Sequence, residues 1–112
     1  MTLILAAFWA ARPGAGAAAP QVVVAGKRAA CSPAPLALDG DIYVPLSFRF
    51  GGLPVAADTD GEAVILHGPN GARARVPFVL RNDHMYYPLI RASADVGLRA
   101  QWVQRLQKLY VA

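Results

Sequence analysis

The sequence predicts a small mixed fold of β-hairpins joined to short helices, with the same unit used twice. Three observations carry this. Short runs rich in β-branched and aromatic residues alternate with turn signals along the chain. The pairs Asp39-Gly40 and Asn82-Asp83 separate such runs at hairpin spacing. Finally, Met85-Tyr86-Tyr87-Pro88 reads as a strand passing directly into a helix, with Leu89, Ala92, Ser93 and Val96 at i, i+3, i+4 and i+7 on one face.

Taken in order, residues 2–11 are an apolar run broken by Arg12-Pro13-Gly14. Ala15-Gly16-Ala17 and Ala17-Ala18-Ala19 both offer the small-x-small pattern that signal peptidase reads. A run this short does not make a stable bilayer span, which takes roughly 20 residues. The expectation is a signal peptide over residues 1–19 rather than an unstructured Ala/Gly-rich leader. A mature chain of residues 20–112 would then be secreted or held at the cell envelope, with no transmembrane span.

Gln21–Val24 is expected as a strand, Ala25-Gly26 as a tight turn and residues 27–31 as the returning partner. Ser32-Pro33-Ala34-Pro35 breaks the chain, since two prolines do not fit inside a central strand. Leu36–Leu38 and residues 41–44 make a hairpin about Asp39-Gly40. Pro45-Leu46 then opens a short helical turn through Phe50, stopped by Gly51-Gly52. Residues 53–57 are extended, Asp58-Thr59-Asp60-Gly61 turns, and residues 62–66 return as a strand. Pro69-Asn70-Gly71 turns again, and residues 73–80 are strand-like with Pro77 implying an edge or a bulge. Pro88 suits the first helical position, where its missing N–H leaves no bond unmade. Gly97 is placed to end the helix in the left-handed conformation, with Leu98 folding back on the last turn.

The repetition follows from spacing. Tyr43, Pro45 and Leu46 map onto Tyr86, Pro88 and Leu89 at an offset of 43. Gly52, Leu53, Ala57 and Val64 map onto Gly97, Leu98, Trp102 and Leu109 at an offset of 45. Two pseudo-repeats, about residues 22–66 and 67–112, are therefore expected, with the first helix two residues shorter. One stretch pulls the other way. Trp102, Val103, Leu106, Leu109 and Tyr110 have helical periodicity, and no Gly, Asn or Asp marks a turn between Trp102 and Leu109. The repeat favours a hairpin there, and a hairpin is expected.

Asp39-Gly40-Asp41-Ile42-Tyr43-Val44-Pro45-Leu46, with the second run from Tyr86 through Trp102 to Val111, resembles the copper amine oxidase N-terminal-like (stalk) domain family. Ala57 and Val103 stand where that family has a Trp and an acidic turn residue. The resemblance covers about residues 22–112 and implies an α+β fold, a small antiparallel β-sheet of hairpins wrapped around short helices. It further implies a non-catalytic structural or interaction module of secreted and envelope proteins. The family takes its name from an enzyme's appendage, so no copper, no other cofactor and no oxidase activity are implied.

Composition narrows the partners. The formal charge is +4, and Arg73, Arg75, Arg81, Arg91, Arg99, Arg105 and Lys108 make the second half basic while most acids lie in the first. That asymmetry fits an anionic cell-wall polymer or an acidic protein partner, with an ordinary solvated surface as the plain alternative; nucleic acid is not the expected partner. Exposed rings among Tyr43, Tyr86, Tyr87, Trp102 and Tyr110 could instead stack on sugars, making a peptidoglycan or glycan binder the alternative function. Strand alternation puts Tyr86 and Tyr87 on opposite faces, Tyr87 being the expected exposed ring and Trp102 the expected core residue.

Catalytic and metal chemistry find little footing. His67 and His84 lie in different halves, and both are expected in solvent. Asp58, Asp60 and Glu62 alternate around a Gly-containing turn, read as a solvated acidic hairpin before a weak calcium site. Ser32, Ser47 and Ser93 have no neighbouring base in sequence, and Ser47 and Ser93 fall in expected helical segments. Asp39, Asp41, Asp83 and Asp95 would need a cleft to act as a carboxylate pair. The lone Cys31 has no internal disulfide partner and is expected buried rather than paired between chains. Ala29-Ala30-Cys31 is no lipid-attachment site, because Lys27 and Arg28 stand where such a signal needs apolar residues. The sequence therefore points to no enzyme, no catalytic residue, no cofactor and no metal.

Overall fold

The computed structural model describes residues 20–112, and the expected signal peptide lies outside them. The described chain is mostly β. Its strands are β1 (Gln21–Val24), β2 (Lys27–Arg28), β3 (Leu36–Leu38), β4 (Asp41–Pro45), β5 (Ala56–Thr59), β6 (Val64–His67), β7 (Arg73–Val76), β8 (Val79–Arg81), β9 (His84–Pro88), β10 (Ala100–Val103) and β11 (Lys108–Val111). The α-helix α1 (Leu89–Asp95) follows β9 without a loop. Three small sheets result, ordered β10-β11-β1-β2, β3-β4-β9-β8 and β5-β6-β7. Pairing is antiparallel except where β1 runs parallel to β11. The α+β composition and the antiparallel hairpins match the expected fold class, with three sheets in place of one and a single α-helix among the described residues.

The middle sheet holds the centre of the molecule. β4 and β9 lie side by side, with Tyr43 opposite Pro88, Val44 opposite Tyr87 and Pro45 opposite Tyr86. Each is the inner arm of a two-residue hairpin. Asp39 and Gly40 turn at φ 53° and 78°, Asn82 and Asp83 at φ 51° and 65°. Positive φ at both turn positions matches the right-handed twist of the arms, and Asp and Asn tolerate it.

Helix α1 is held at both ends. Pro88 stands one position earlier than expected, as the extended N-cap at the end of β9, and offers no side chain to the helix. The cap comes from β4 instead. Asp41 Oδ1 accepts the Ile90 N–H at 2.8 Å and Oδ2 accepts the Arg91 N–H at 3.0 Å. A carboxylate at a helix N-terminus satisfies orphan donors and complements the dipole. At the other end Gly97 takes φ 80°, and the Leu98 N–H reaches the Ser93 carbonyl at 3.0 Å, the bond that closes a left-handed helix end.

The buried face of α1 (Leu89, Ala92, Ser93) and Val96 meets a core drawn from all three sheets. Val22, Val44, Val64, Leu66, Val76, Leu109 and Val111 are each at most 2 % exposed. Contact between the helix end and the chain leaving β6 is close: a Cβ on Gly68 would lie 3.0 Å from Val96 Cβ, so a larger residue there would have to push Val96 aside.

Several expectations are corrected. Pro45-Leu46 does not open a helix. The chain makes one turn, the Phe48 N–H reaching the Pro45 carbonyl at 2.9 Å, and then runs extended. Phe48 and Phe50 are buried, 5.1 Å apart edge to face, while Ser47 and Arg49 between and beside them are exposed. That alternation is the signature of extended chain, and it overrides the short helical reading. Ser47 is thus not helical; its hydroxyl donates to the Ser32 carbonyl. The strand expected over residues 27–31 spans only Lys27–Arg28, and Pro77 splits residues 73–80 into β7 and β8. The turn of the β5–β6 hairpin falls about two residues later than expected, at Asp60–Ala63, the strand continuing through Thr59.

The tail is a hairpin, as expected. Trp102 pairs with Leu109 and Val103 with Lys108. The missing turn residue is Gln107, which adopts φ 52° after a short 3₁₀ turn at Gln104–Leu106. Its side chain donates to the Gln104 carbonyl at 2.8 Å and helps hold the geometry that glycine would otherwise supply.

Candidate functional site

The aromatic residues change places relative to expectation. Tyr87 is wholly buried and Tyr86 nearly so, because β9 is an inner strand of its sheet and packs on both faces. Trp102, expected in the core, sits half-buried at its edge on β10. Tyr110 is exposed on the adjacent strand, and Tyr43 is half-buried.

Trp102 forms one wall of a cleft of ≈ 400 Å³ between two hairpins, β3–β4 on one side and β10–β11 on the other. Ile42 and Ile90 supply apolar floor, and Asp39, Gln104 and Gln107 supply polar groups at the rim. The indole Nε1–H donates to Gln104 Oε1 at 2.7 Å, which fixes the ring and leaves the Gln104 amide NH₂ available. Asp41 also reaches this cleft, but its carboxylate accepts from Ile42, Ile90 and Arg91 N–H groups and serves the fold. An aromatic wall with amide and carboxylate groups around it can hold a neutral polyhydroxylated ligand by stacking and hydrogen bonding. Gln104 and Gln107 were missed in the sequence because they stood in a stretch whose turn lacked its usual markers.

The remaining candidates are dispersed. His67 ends β6 and His84 begins β9, both exposed. Among the described residues no three His, Cys, Asp or Glu side chains group as metal ligands. Asp60 is committed elsewhere: Oδ1 accepts the Glu62 and Ala63 N–H groups, both at 2.9 Å, and Oδ2 pairs with Arg75. Arg75 and those two amides pull its carboxyl down to about 2. An arginine beside the turn also opposes a cation there. Asp58 Oδ1 accepts its neighbour Thr59 N–H, and Glu62 is solvent-exposed 3.9 Å from Arg75.

Cys31 is half-buried against the core, and desolvation pushes its thiol up to about 11. It is a thiol, not a thiolate, at neutral pH and correspondingly unreactive. Ser93 Oγ and Tyr87 Oη are buried without a hydrogen-bond partner among the described residues. Burial, with a smaller contribution from Cys31, pushes the Tyr87 phenol far up. Neither hydroxyl opens to a cleft where a substrate could reach it. Asp39, Asp83 and Asp95 are exposed. The arginines expected to make a basic surface, Arg73, Arg75, Arg81, Arg91, Arg99 and Arg105, are all exposed, with Lys108 half-buried. Among the described residues no helix is long and apolar enough to cross a membrane.

Comparison with protein-family models, with curated proteins and with solved structures returns no match.

Proposed function

We propose that this chain is a non-catalytic interaction module of the cell envelope, built from two related units of the copper amine oxidase N-terminal-like kind. The observation that supports the reading is the pairing of the two hairpins through β4 and β9. β7, from the second unit, completes the sheet of β5 and β6, while β1, from the first, completes that of β10 and β11. Between β4 and β9, Val44 faces Tyr87, its counterpart at the sequence offset of 43. The two hairpin turns, Asp39-Gly40 and Asn82-Asp83, stand at that same offset. The likeness is incomplete: β1 is parallel to β11 whereas β7 is antiparallel to β6, no helix follows β4 as α1 follows β9, and the offset of 43 carries β1 onto β6 rather than β7. Buried side chains are thus used to lock two halves together, and the hairpins present the outer surface. The apolar run and small-x-small patterns of residues 2–19 support a place outside the cytoplasm.

The test is a pull-down of the purified chain on isolated cell wall across a salt series. Retention that falls with salt identifies charge as its source, through the exposed arginines. No retention at any salt, for a chain that is folded, would remove the cell-wall partner and leave an acidic protein.

The Trp102 cleft favours a second reading, a glycan-binding module. Sugar stacked on the indole predicts retention that survives salt and is lost in Trp102→Ala and weakened in Gln104→Ala.

A further inference from the structure

A second cleft, ≈ 470 Å³, opens on the far side of the β1–β2 hairpin from β11, and its chemistry differs from that of the Trp102 cleft. Three cations, Lys27, Arg28 and Arg49, stand around it, and no carboxylate lines it. They come from separate segments. Lys27 and Arg28 form the outermost strand of their sheet, and Arg49 is turned outward because Phe48 and Phe50 on either side point into the core. Among the described residues none of the three is in an ion pair, the two pairs present both belonging to Arg75. Three like charges around one apolar hollow repel one another, and that repulsion is relieved by an anion.

The rest of the lining fits such an anion. The Phe50–Leu53 turn, closed by the Leu53 N–H on the Phe50 carbonyl at 3.1 Å, carries Gly51 and Gly52 along the cleft wall. Their N–H groups make no hydrogen bond among the described residues. A Cβ on Gly52 would meet nothing within 4 Å, so a ligand can approach the backbone directly. Val24 and the alanines beside the cations make the remaining surface apolar.

We propose that this cleft binds a phosphoryl group carried on an apolar body. Charge and shape favour phosphoryl over carboxylate. Two guanidinium forks and an ammonium match a group that holds more than one negative charge on several oxygens. Open backbone amides add donors of the kind that anion-binding turns use. The apolar wall makes the attached body part of the recognition. The site is independent of the envelope reading and of the Trp102 cleft, and it can fail while both stand.

The test is an NMR titration of the full isotope-labelled chain, following the Gly51 and Gly52 amides. Three probes are used in turn: inorganic phosphate, monomeric dihexanoyl phosphatidic acid, and vesicles of phosphatidic acid in phosphatidylcholine against phosphatidylcholine alone. Saturable shifts confined to the turn and to β2, with the soluble phospholipid about tenfold tighter than phosphate, are expected. Binding to the acidic vesicles assigns a membrane headgroup as the source. Binding to the soluble lipid alone assigns a free phosphoester. Arg28→Gln with Arg49→Gln should weaken binding about a hundredfold while leaving the spectrum elsewhere unchanged, since both side chains are exposed. Shifts spread over the arginines of β7 and β8, equal response to phosphate and phospholipid, or undiminished binding in a folded double variant would overturn the proposal.

Discussion

β4 and β9 both end on a proline followed by leucine, yet a helix starts at Leu89 and none starts at Leu46. The difference is not in the pair itself. Each strand begins just beyond a two-residue turn, β4 with Asp41 and β9 with His84. Because β4 and β9 are antiparallel neighbours, the first residue of one strand lies near the chain leaving the other. Asp41 therefore delivers a carboxylate to the first free N–H groups of α1. His84 makes no such bond to Leu46 or Ser47. Downstream, α1 meets the core with helical spacing, whereas Phe48 and Phe50 bury alternate residues. A short helix is marginal alone, so a distant cap and a matching face decide whether it forms.

The sharpest way to break this comparison is truncation of the two leucines. Leu89 is 0 % exposed and Leu46 is only partly buried against the core. Leu89→Ala should cost about 3 kcal/mol in chemical denaturation, and Leu46→Ala about 1 kcal/mol. Equal losses would mean that the two segments pack alike.

Removing the cap comes next. Asp41→Ala should cost about 2 kcal/mol, because two helix N–H groups lose a charged acceptor. His84→Ala should stay within about 0.5 kcal/mol, as for other exposed positions without a structural bond. A similar loss from both would place the cap's value in β-strand pairing instead.

The stop signals give a smaller contrast. Gly97 sits at φ 80° with open space around it, so Gly97→Ala should cost about 1 kcal/mol from backbone conformation alone. Gly52 lacks a left-handed φ and has equal room, so Gly52→Ala should cost nothing measurable. Thermal melts of both variants read the difference.

The smallest effect lies outside both segments, at the β5–β6 turn. Asp60 titrates near 2 when folded, below the ordinary aspartate value of 3.8. Its contribution is complete above the unfolded value and is lost as pH falls through the folded one. Melting temperature should therefore decline between about pH 4 and pH 2, and Asp60→Asn should flatten part of that decline. A decline unchanged in that variant would assign it to other carboxylates.

Much of this architecture was legible in local chemistry. Asp39-Gly40 and Asn82-Asp83 announced their turns, Gly97 announced a helix end, and the distribution of Val, Ile and Leu located most strands. The lost helix at Pro45-Leu46 was legible too: Phe48-Arg49-Phe50 alternates at the strand period, and that signal outweighs a Pro-Leu pair. Other features arise only when distant segments meet. No local pattern reveals that Asp41 caps a helix that starts at residue 89. The burial of both Tyr86 and Tyr87 needed β9 to lie inside its sheet and be covered on both faces. Trp102 was singled out as an aromatic candidate, but its cleft also needs Asp39 from another hairpin. Gln107 hid the tail's turn, since glutamine rarely takes a left-handed φ without a side-chain bond to hold it. The cationic cleft escaped for the same reason as the cap, its three charges being split between two segments.

The parallel contact of β1 with β11 sets Val22 beside Leu109 and Val24 beside Val111, at opposite ends of the described chain. A growing polypeptide cannot close that sheet until its last strand has been synthesised, because the partner of the first does not yet exist. That sheet stays open until β11 has been made, while the other two sheets can already pair. Shortening the chain by the residues of β11 should trap a state in which the middle sheet can form but the outer one cannot.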